Sequence, residues 1–206
     1  MNNIFAHWPN RITAIRFVGA MVLFALFACW GEGQGPVEVG PGWMTQICFW
    51  LFLSIALSDY LDGYLARKHN LVSAFGRIAD PFVDKVLVLG SMIFLMVMPW
   101  SRDWFPAWIV VVVLAREFLV TGIRSYVESL GVSFAADGFG KVKMVVQCLA
   151  IGFALGSMAF PWERIGIQVL WLSWCTYGLV WATLFTSIGS GFTYILKARA
   201  FFASEA

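Results

Sequence analysis

The chain has 206 residues, of which 60% are hydrophobic and 13% charged, against about 45–50% apolar and about 25% charged in soluble domains. That balance excludes a water-soluble globular protein. A net charge of +2, with the basic residues scattered between apolar runs, excludes a nucleic-acid-binding stripe and gives no nucleic-acid partner.

Residues 2–8 precede Pro9 and read either as a short interfacial helix or as an irregular start. From there, apolar stretches near or above the ~18 residues of a membrane-spanning helix recur along the chain, with Trp, Tyr and Phe at their edges. They predict an all-α integral membrane protein, a bundle of six transmembrane helices at 11–30, 43–66, 77–98, 104–129, 140–160 and 165–195. The first run follows Arg11 and Arg16 and so imitates a signal peptide, and Leu26-Phe27-Ala28-Cys29 faintly imitates a lipoprotein processing box. Phe27 fits that box badly and five more spans follow, so the span is expected to stay uncleaved. Gly31–Gly42, rich in Gly and Pro, reads as a solvent loop, with Ser101–Phe105 and Pro161–Arg164 on the same side. Lys and Arg gather at the opposite ends (Arg11, Arg16, Arg67, Lys68, Arg77, Arg124, Lys141, Lys143, Lys197, Arg199), which predicts a multi-pass protein with both termini cytoplasmic. No repeat or composition shift divides residues 1–206, so one membrane-embedded domain is expected. Cys29, Cys48, Cys148 and Cys175 lie in apolar runs without paired spacing and read as buried small residues.

Chemistry concentrates between the second and third spans. Asp59 and Asp62 are three apart and Asp80 and Asp84 four apart, so each pair projects from one helix face. Asp59 and Asp84 both lie at roughly 10 Å depth by helical rise. Uncompensated, each carboxylate would cost roughly 2.5–3.5 kcal/mol at the membrane centre, and mutual repulsion adds to that. Positive charge must sit among them. Oxygen-only ligands suit Mg²⁺, Mn²⁺ or Ca²⁺ rather than zinc, and two ions serve four such groups naturally. Gly63 and Ala66, with Gly76 on the facing helix, leave a patch without bulk where a phosphorylated ligand can reach the backbone. Taken singly, such glycines serve helix packing. Pro81 lies between the second pair of aspartates and is expected to bend the third span.

The pattern Asp-x2-Asp-Gly-x2-Ala-Arg-x8-Gly-x3-Asp-x3-Asp, realised by Asp59, Asp62, Gly63, Ala66, Arg67, Gly76, Asp80 and Asp84, resembles the signature of the CDP-alcohol phosphotransferase family. Eight fixed positions over 26 residues make the resemblance specific. It implies a six-helix, homodimeric enzyme of the inner membrane, working with two ions, Mg²⁺ or Mn²⁺, that moves a phosphatidyl group from a CDP-linked lipid to an alcohol and releases CMP. Asp84 would also take the proton from the attacking hydroxyl. Arg67 would contact nucleotide phosphate or hold the carboxylates, and Asn10 and Thr13 would face the nucleotide. Without the resemblance, Asn10 and Thr13 read as a helix start after a proline.

Ala115-Arg116-Glu117-Phe118-x-Val120-Thr121-Gly122-x-Arg124 and Gly140-Lys141-x-Lys143 resemble the phosphatidylglycerophosphate synthases within that family. This implies CDP-diacylglycerol as donor and glycerol 3-phosphate as acceptor, with Arg116, Arg124 and Lys141 around the acceptor phosphate and Thr121 as hydroxyl donor. The plainer reading of Arg116 is an ion pair with Glu117 or a site aspartate. Lys141 and Lys143 point to nearly opposite sides of a helix, so Lys141 is expected in the site and Lys143 among lipid headgroups. Inositol phosphate, serine or phosphatidylglycerol as acceptor, or a divalent cation transporter, are the competing readings. Asp137 reads as a helix N-cap, Gly152-x3-Gly156 and Gly189-x-Gly191 as packing sites, and Trp171, Trp174 and Trp181 as lipid-facing or packing residues.

Overall fold

A computed structural model of the chain describes residues 8–31, 42–69, 74–131 and 138–205. These form six α helices: α1 (Trp8–Gly31), α2 (Trp43–His69), α3 (Ala74–Val97), α4 (Ala107–Ser129), α5 (Gly138–Ala159) and α6 (Val169–Glu205). A short 3₁₀ turn, Trp162–Ile165, precedes α6. The protein is an all-α membrane protein. Helices α1, α5 and α6 contain windows long and apolar enough to cross a membrane. In α3 and α4 the apolar run is interrupted by Asp80, Asp84 and Lys85 and by Arg116, Glu117 and Arg124.

Five helices begin and end within about three residues of the sequence expectation. The sixth differs, running to Glu205, ten residues past the predicted end. The stretch around Lys197 and Arg199 loses apolarity but contains no Pro, so nothing local breaks the helix. α4 starts three residues late because 101–105 is folded into turns and Pro106, at φ −58° and ψ 137°, precedes the first helical residue. Pro9 falls in the first turn of α1, where a missing N–H costs nothing. α3 continues through Pro81 without a break. The 2–7 segment, most of the 31–42 loop and Asp137 lie outside the described residues.

Contacts between elements close a ring in the order α1, α3, α4, α6, α5, α2, with α3 and α5 also touching. Side-chain pairs give the directions. Thr13 meets Asp80, Arg16 meets Asp84 and Phe24 meets Phe94, so α1 and α3 run parallel. Trp108 meets Trp181 and Arg116 meets Ser190, so α4 and α6 run parallel. Gly19 lies on Ile55 and Gly156 on Phe49, consistent with α2 running against α1 and α5. The predicted signature helices, α2 and α3, are therefore not ring neighbours among the described residues. Helix α1 packs against both and stands between them.

One end of the bundle is a conventional apolar core. Leu23 and Phe27 of α1, Phe52 of α2, Met92 and Leu95 of α3, Ile109 and Val113 of α4, and Ile151 and Leu155 of α5 pack together. At the other end the arrangement is inverted. Arg16 is 4% exposed while Ile15 beside it is 69% exposed; Arg116 is 9% exposed and Phe118 69%. Charge inside and hydrocarbon outside is the distribution a lipid solvent imposes. Trp171, Trp174 and Trp181 lie on this outer surface. The cysteines are not uniformly buried: Cys48 is, Cys148 is half-buried, and Cys29 and Cys175 are exposed. A thiol on an outward face is tolerable when the face meets hydrocarbon.

Gly156 packs within the chain as expected, since a Cβ there would sit 3.1 Å from Phe49, whereas Gly152 and Gly189 face open space. Gly90 is the tightest approach, because a Cβ would overlap the ring of Phe24, which is itself stacked on Phe94 at 5.5 Å. Gly90→Ala should therefore wedge α1 from α3 and cost about 1–3 kcal/mol. The thermal midpoint of the purified protein in detergent should fall by several degrees and recover in a Gly90→Ala, Phe24→Leu double variant; an unchanged midpoint in the single variant would contradict this packing.

Candidate active site

The charged end of α3 is held by α1. Asn10, Thr13 and Arg16, spaced three apart, are all buried on the face of α1 toward the bundle. The Thr13 hydroxyl donates to Asp80 Oδ1, and Arg16 Nη2 forms an ion pair with Asp84 Oδ1. In the sequence Arg16 stands out only as a flanking charge of the first span. The overlooked clue is its spacing, three residues beyond Thr13 inside an apolar run.

Asp80 and Asp84 are half-buried, four residues apart, and offer only oxygen. Such a set fits a hard divalent cation. Arg16 supplies positive charge to Asp84, and Thr13 gives Asp80 only a neutral donor. Asp59, Asp62, Gly63, Ala66 and Arg67 lie on the last turns of α2, with side chains outside the described ones. Gly76 is buried near the start of α3.

Asp84 also lines a cavity of about 520 Å³ bounded by α3, α4, α5 and the Tyr194 side chain of α6. That volume is typical of a small-ligand pocket. Four cations line it, Lys85, Arg116, Arg124 and Lys143, against the carboxylates Asp84, Glu117 and Glu128. Positive charge is in excess, as an anionic ligand requires.

Glu117 organises the inner part of this wall. Its Oε1 accepts from Arg116 Nη1 at 2.6 Å and from Lys143 Nζ. Arg116 Nη2 donates to Ser190, and Gly191 makes room for the arginine, since a Cβ there would lie 3.1 Å from Arg116 Cγ. Further out, Arg124 donates to the Tyr194 hydroxyl and lies 5.5 Å from the centre of its ring, with Arg116 at 6.0 Å from the same ring. Both guanidinium groups are thus fixed by one buried tyrosine. Even so, the buried Nε of Arg116 and of Arg124 have no hydrogen-bond partner among the described residues.

Arg116, Thr121 and Arg124 line one cavity, and the ion pair of Arg116 with Glu117 forms as well. Thr121 differs from its expected role, because its hydroxyl donates to the Glu117 carbonyl at 2.6 Å and accepts from Lys85 Nζ. A threonine within a helix reaches the carbonyl four residues back, which occupies its only hydrogen. Lys143, expected among headgroups, is instead buried against Glu117, because a carboxylate in the bundle offers its ammonium more than the interface does. The side chain of Lys141 lies outside the described residues. Lys85, Tyr194 and Gln147 were missed. Lys85 follows Asp84 directly, and Gln147 lies one turn beyond Lys143, so both were findable by spacing; Tyr194 is seventy residues from Arg124 and had no local signal.

A profile of the CDP-alcohol phosphatidyltransferase family matches residues 6–188. The chain is 33% identical over 192 residues, 92% of its own length and 93% of the relative's, to a CDP-diacylglycerol–glycerol-3-phosphate 3-phosphatidyltransferase of Bacillus subtilis. It is 33% identical over 195 residues, 94% and 96% of the two lengths, to a protein of the same name from Rickettsia bellii. An Arabidopsis thaliana relative of that name, numbered 2, is 28% identical over 180 residues, 80% of this chain and 72% of that one. With an inward-facing charged end matching the family's chemistry and a family match over most of its length, the chain belongs to the CDP-alcohol phosphatidyltransferases.

Proposed function

We propose that this enzyme transfers the phosphatidyl group of CDP-diacylglycerol to glycerol 3-phosphate, giving phosphatidylglycerol phosphate and CMP. The observation that carries the proposal is the cation-rich cavity opening onto Asp84, in which two buried arginines keep an N–H unsatisfied. An unmet buried donor costs about 1–3 kcal/mol, and a phosphate oxygen would meet it. The names of the relatives agree with that acceptor.

In this reading Arg116, Arg124 and Lys143 bind the acceptor phosphate, with Lys141 as a further candidate and Tyr194 orienting the guanidiniums. Thr121 positions Lys85. Asp84, shared by the cavity and the α1–α3 contact, accepts the proton of the attacking hydroxyl. That oxygen forms a bond to the phosphatidyl phosphorus as the bond from phosphorus to the CMP oxygen breaks. Asp59, Asp62, Asp80 and Asp84 would hold two ions, Mg²⁺ or Mn²⁺, which when bound neutralise the pyrophosphate and the departing CMP. Asn10, Thr13, Gly63, Ala66, Arg67 and Gly76 would form the nucleotide and donor side. Holding the acceptor in the cavity and the donor on the α1 side of Asp84 would supply much of the rate.

The proposal extends to a single domain working as a homodimer in the inner membrane, with both termini and the active site on the cytoplasmic side, as the Lys and Arg distribution suggests.

Three outcomes test it. Asp84→Asn should lower acceptor-dependent CMP release by at least about a thousandfold while the protein still inserts and purifies; substantial residual turnover would remove Asp84 from the base role. Arg124→Gln should raise the KM for glycerol 3-phosphate about ten- to hundredfold with a smaller change in the KM for CDP-diacylglycerol, whereas an equal rise in both would contradict an acceptor role. Removal of divalent metal by chelation should abolish turnover, and Mg²⁺ or Mn²⁺ should restore it; activity in metal-free enzyme would contradict the ion requirement.

A further inference from the structure

Gln147 is 3% exposed and lines the cavity, yet its Nε2 has no hydrogen-bond partner among the described residues. It lies one helical turn beyond Lys143, about 6 Å farther from the charged end of α5 by helical rise. Val88, Leu89 and Met144 also line the cavity, and Gln147 is the lining residue farthest along α5. Left empty of ligand, such a donor is expensive, at about 1–3 kcal/mol.

The buried polar groups of the cavity already have tasks under the reading above, and Ser125 and Glu128, which also line it, are exposed. The guanidiniums and Lys143 suit a phosphate, and Asp84 on the α3 wall suits the attacking hydroxyl. A three-carbon polyol phosphate carries one more polar group, the hydroxyl on its middle carbon. A primary amide matches it, because Nε2 can donate to the hydroxyl oxygen while Oε1 accepts the hydroxyl hydrogen. A phosphate oxygen has no hydrogen to return, and an uncharged group among four cations is a poor choice for an anion.

We infer that Gln147 is a specificity-determining residue that reads the non-reacting hydroxyl of the acceptor. The inference rests on glycerol 3-phosphate being the acceptor class. It explains how a site dominated by charge distinguishes a polyol phosphate from a simple hydroxyalkyl phosphate, since a site built to hydrogen-bond a hydroxyl rejects the analogue lacking it.

The test compares glycerol 3-phosphate with 3-hydroxypropyl phosphate, which keeps the phosphate and the primary hydroxyl and lacks the middle one. Purified enzyme with CDP-diacylglycerol and Mn²⁺ gives a KM for the first and an inhibition constant for the second as a competing acceptor. In the unaltered enzyme the analogue should bind about ten- to hundredfold more weakly. In Gln147→Met, of similar length without the amide, the glycerol 3-phosphate KM should rise until the two constants agree within about threefold, with the analogue's constant almost unmoved. Gln147→Leu, which removes donor and acceptor together, should collapse the discrimination in the same way and stands in should the methionine variant fail to fold. No preference in the unaltered enzyme, or a parallel weakening of both compounds in the variants, would overturn the inference. Absence of any CMP release with glycerol 3-phosphate in the unaltered enzyme would instead overturn the proposed function beneath it.

Discussion

A charged side chain cannot be left alone in hydrocarbon, and this bundle is arranged around that constraint. Three described acids are met by a cation or hydroxyl from a different helix: Asp84 by Arg16, Glu117 by Lys143 as well as by its neighbour Arg116, and Asp80 by Thr13. The partners come from α1, α4 and α5, so the electrostatic links also tie the ring of helices together at its polar end. Removing Glu117 would leave Lys143 and one edge of Arg116 buried without their carboxylate, which is costlier than removing the whole group. Packing at the opposite end is ordinary apolar contact, with Phe27, Phe52, Met92 and Leu155 among its anchors.

The same arrangement leaves positive charge in excess inside the cavity. Glu117 answers Lys143 and one face of Arg116, and Tyr194 answers one edge of Arg124, but neither arginine is saturated. A preformed pocket with unmet donors binds an anion without first having to reorganise. Asp84 sits where this pocket meets the α1–α3 seam, and that junction is what a transfer between a nucleotide-linked lipid and a soluble phosphate demands.

Much of this was legible in the residues. Six helices follow from hydropathy alone, because a spanning helix needs a long apolar run and leaves little else possible. Asp80 and Asp84 stand out in the sequence because carboxylates are rare in such runs. Arg116, Thr121 and Arg124 were identifiable from their local pattern. What was not legible is which helix stands beside which. Hydropathy has no term for ring order, so α1 between α2 and α3 was unforeseen, and with it the roles of Arg16 and Tyr194, whose partners are 68 and 70 residues away. The expectation of Lys143 among headgroups missed for a related reason: helical phase shows that Lys141 and Lys143 point apart, but only the position of Glu117 shows that Lys143 faces inward. The end of α6 was misjudged because a helix can outrun the apolar stretch that anchors it.

In the proposed reading divalent ions join Asp59, Asp62, Asp80 and Asp84, beyond the compensation that Arg16 and Thr13 give the two on α3. Electron paramagnetic resonance of Mn²⁺ titrated into the purified, lipid-reconstituted enzyme measures that directly. The account predicts two bound ions per chain, with binding lost or greatly weakened when Asp80 and Asp84 are both changed to Asn. Saturating Mn²⁺ with no bound signal in the unaltered protein, or binding indifferent to those two substitutions, would contradict it.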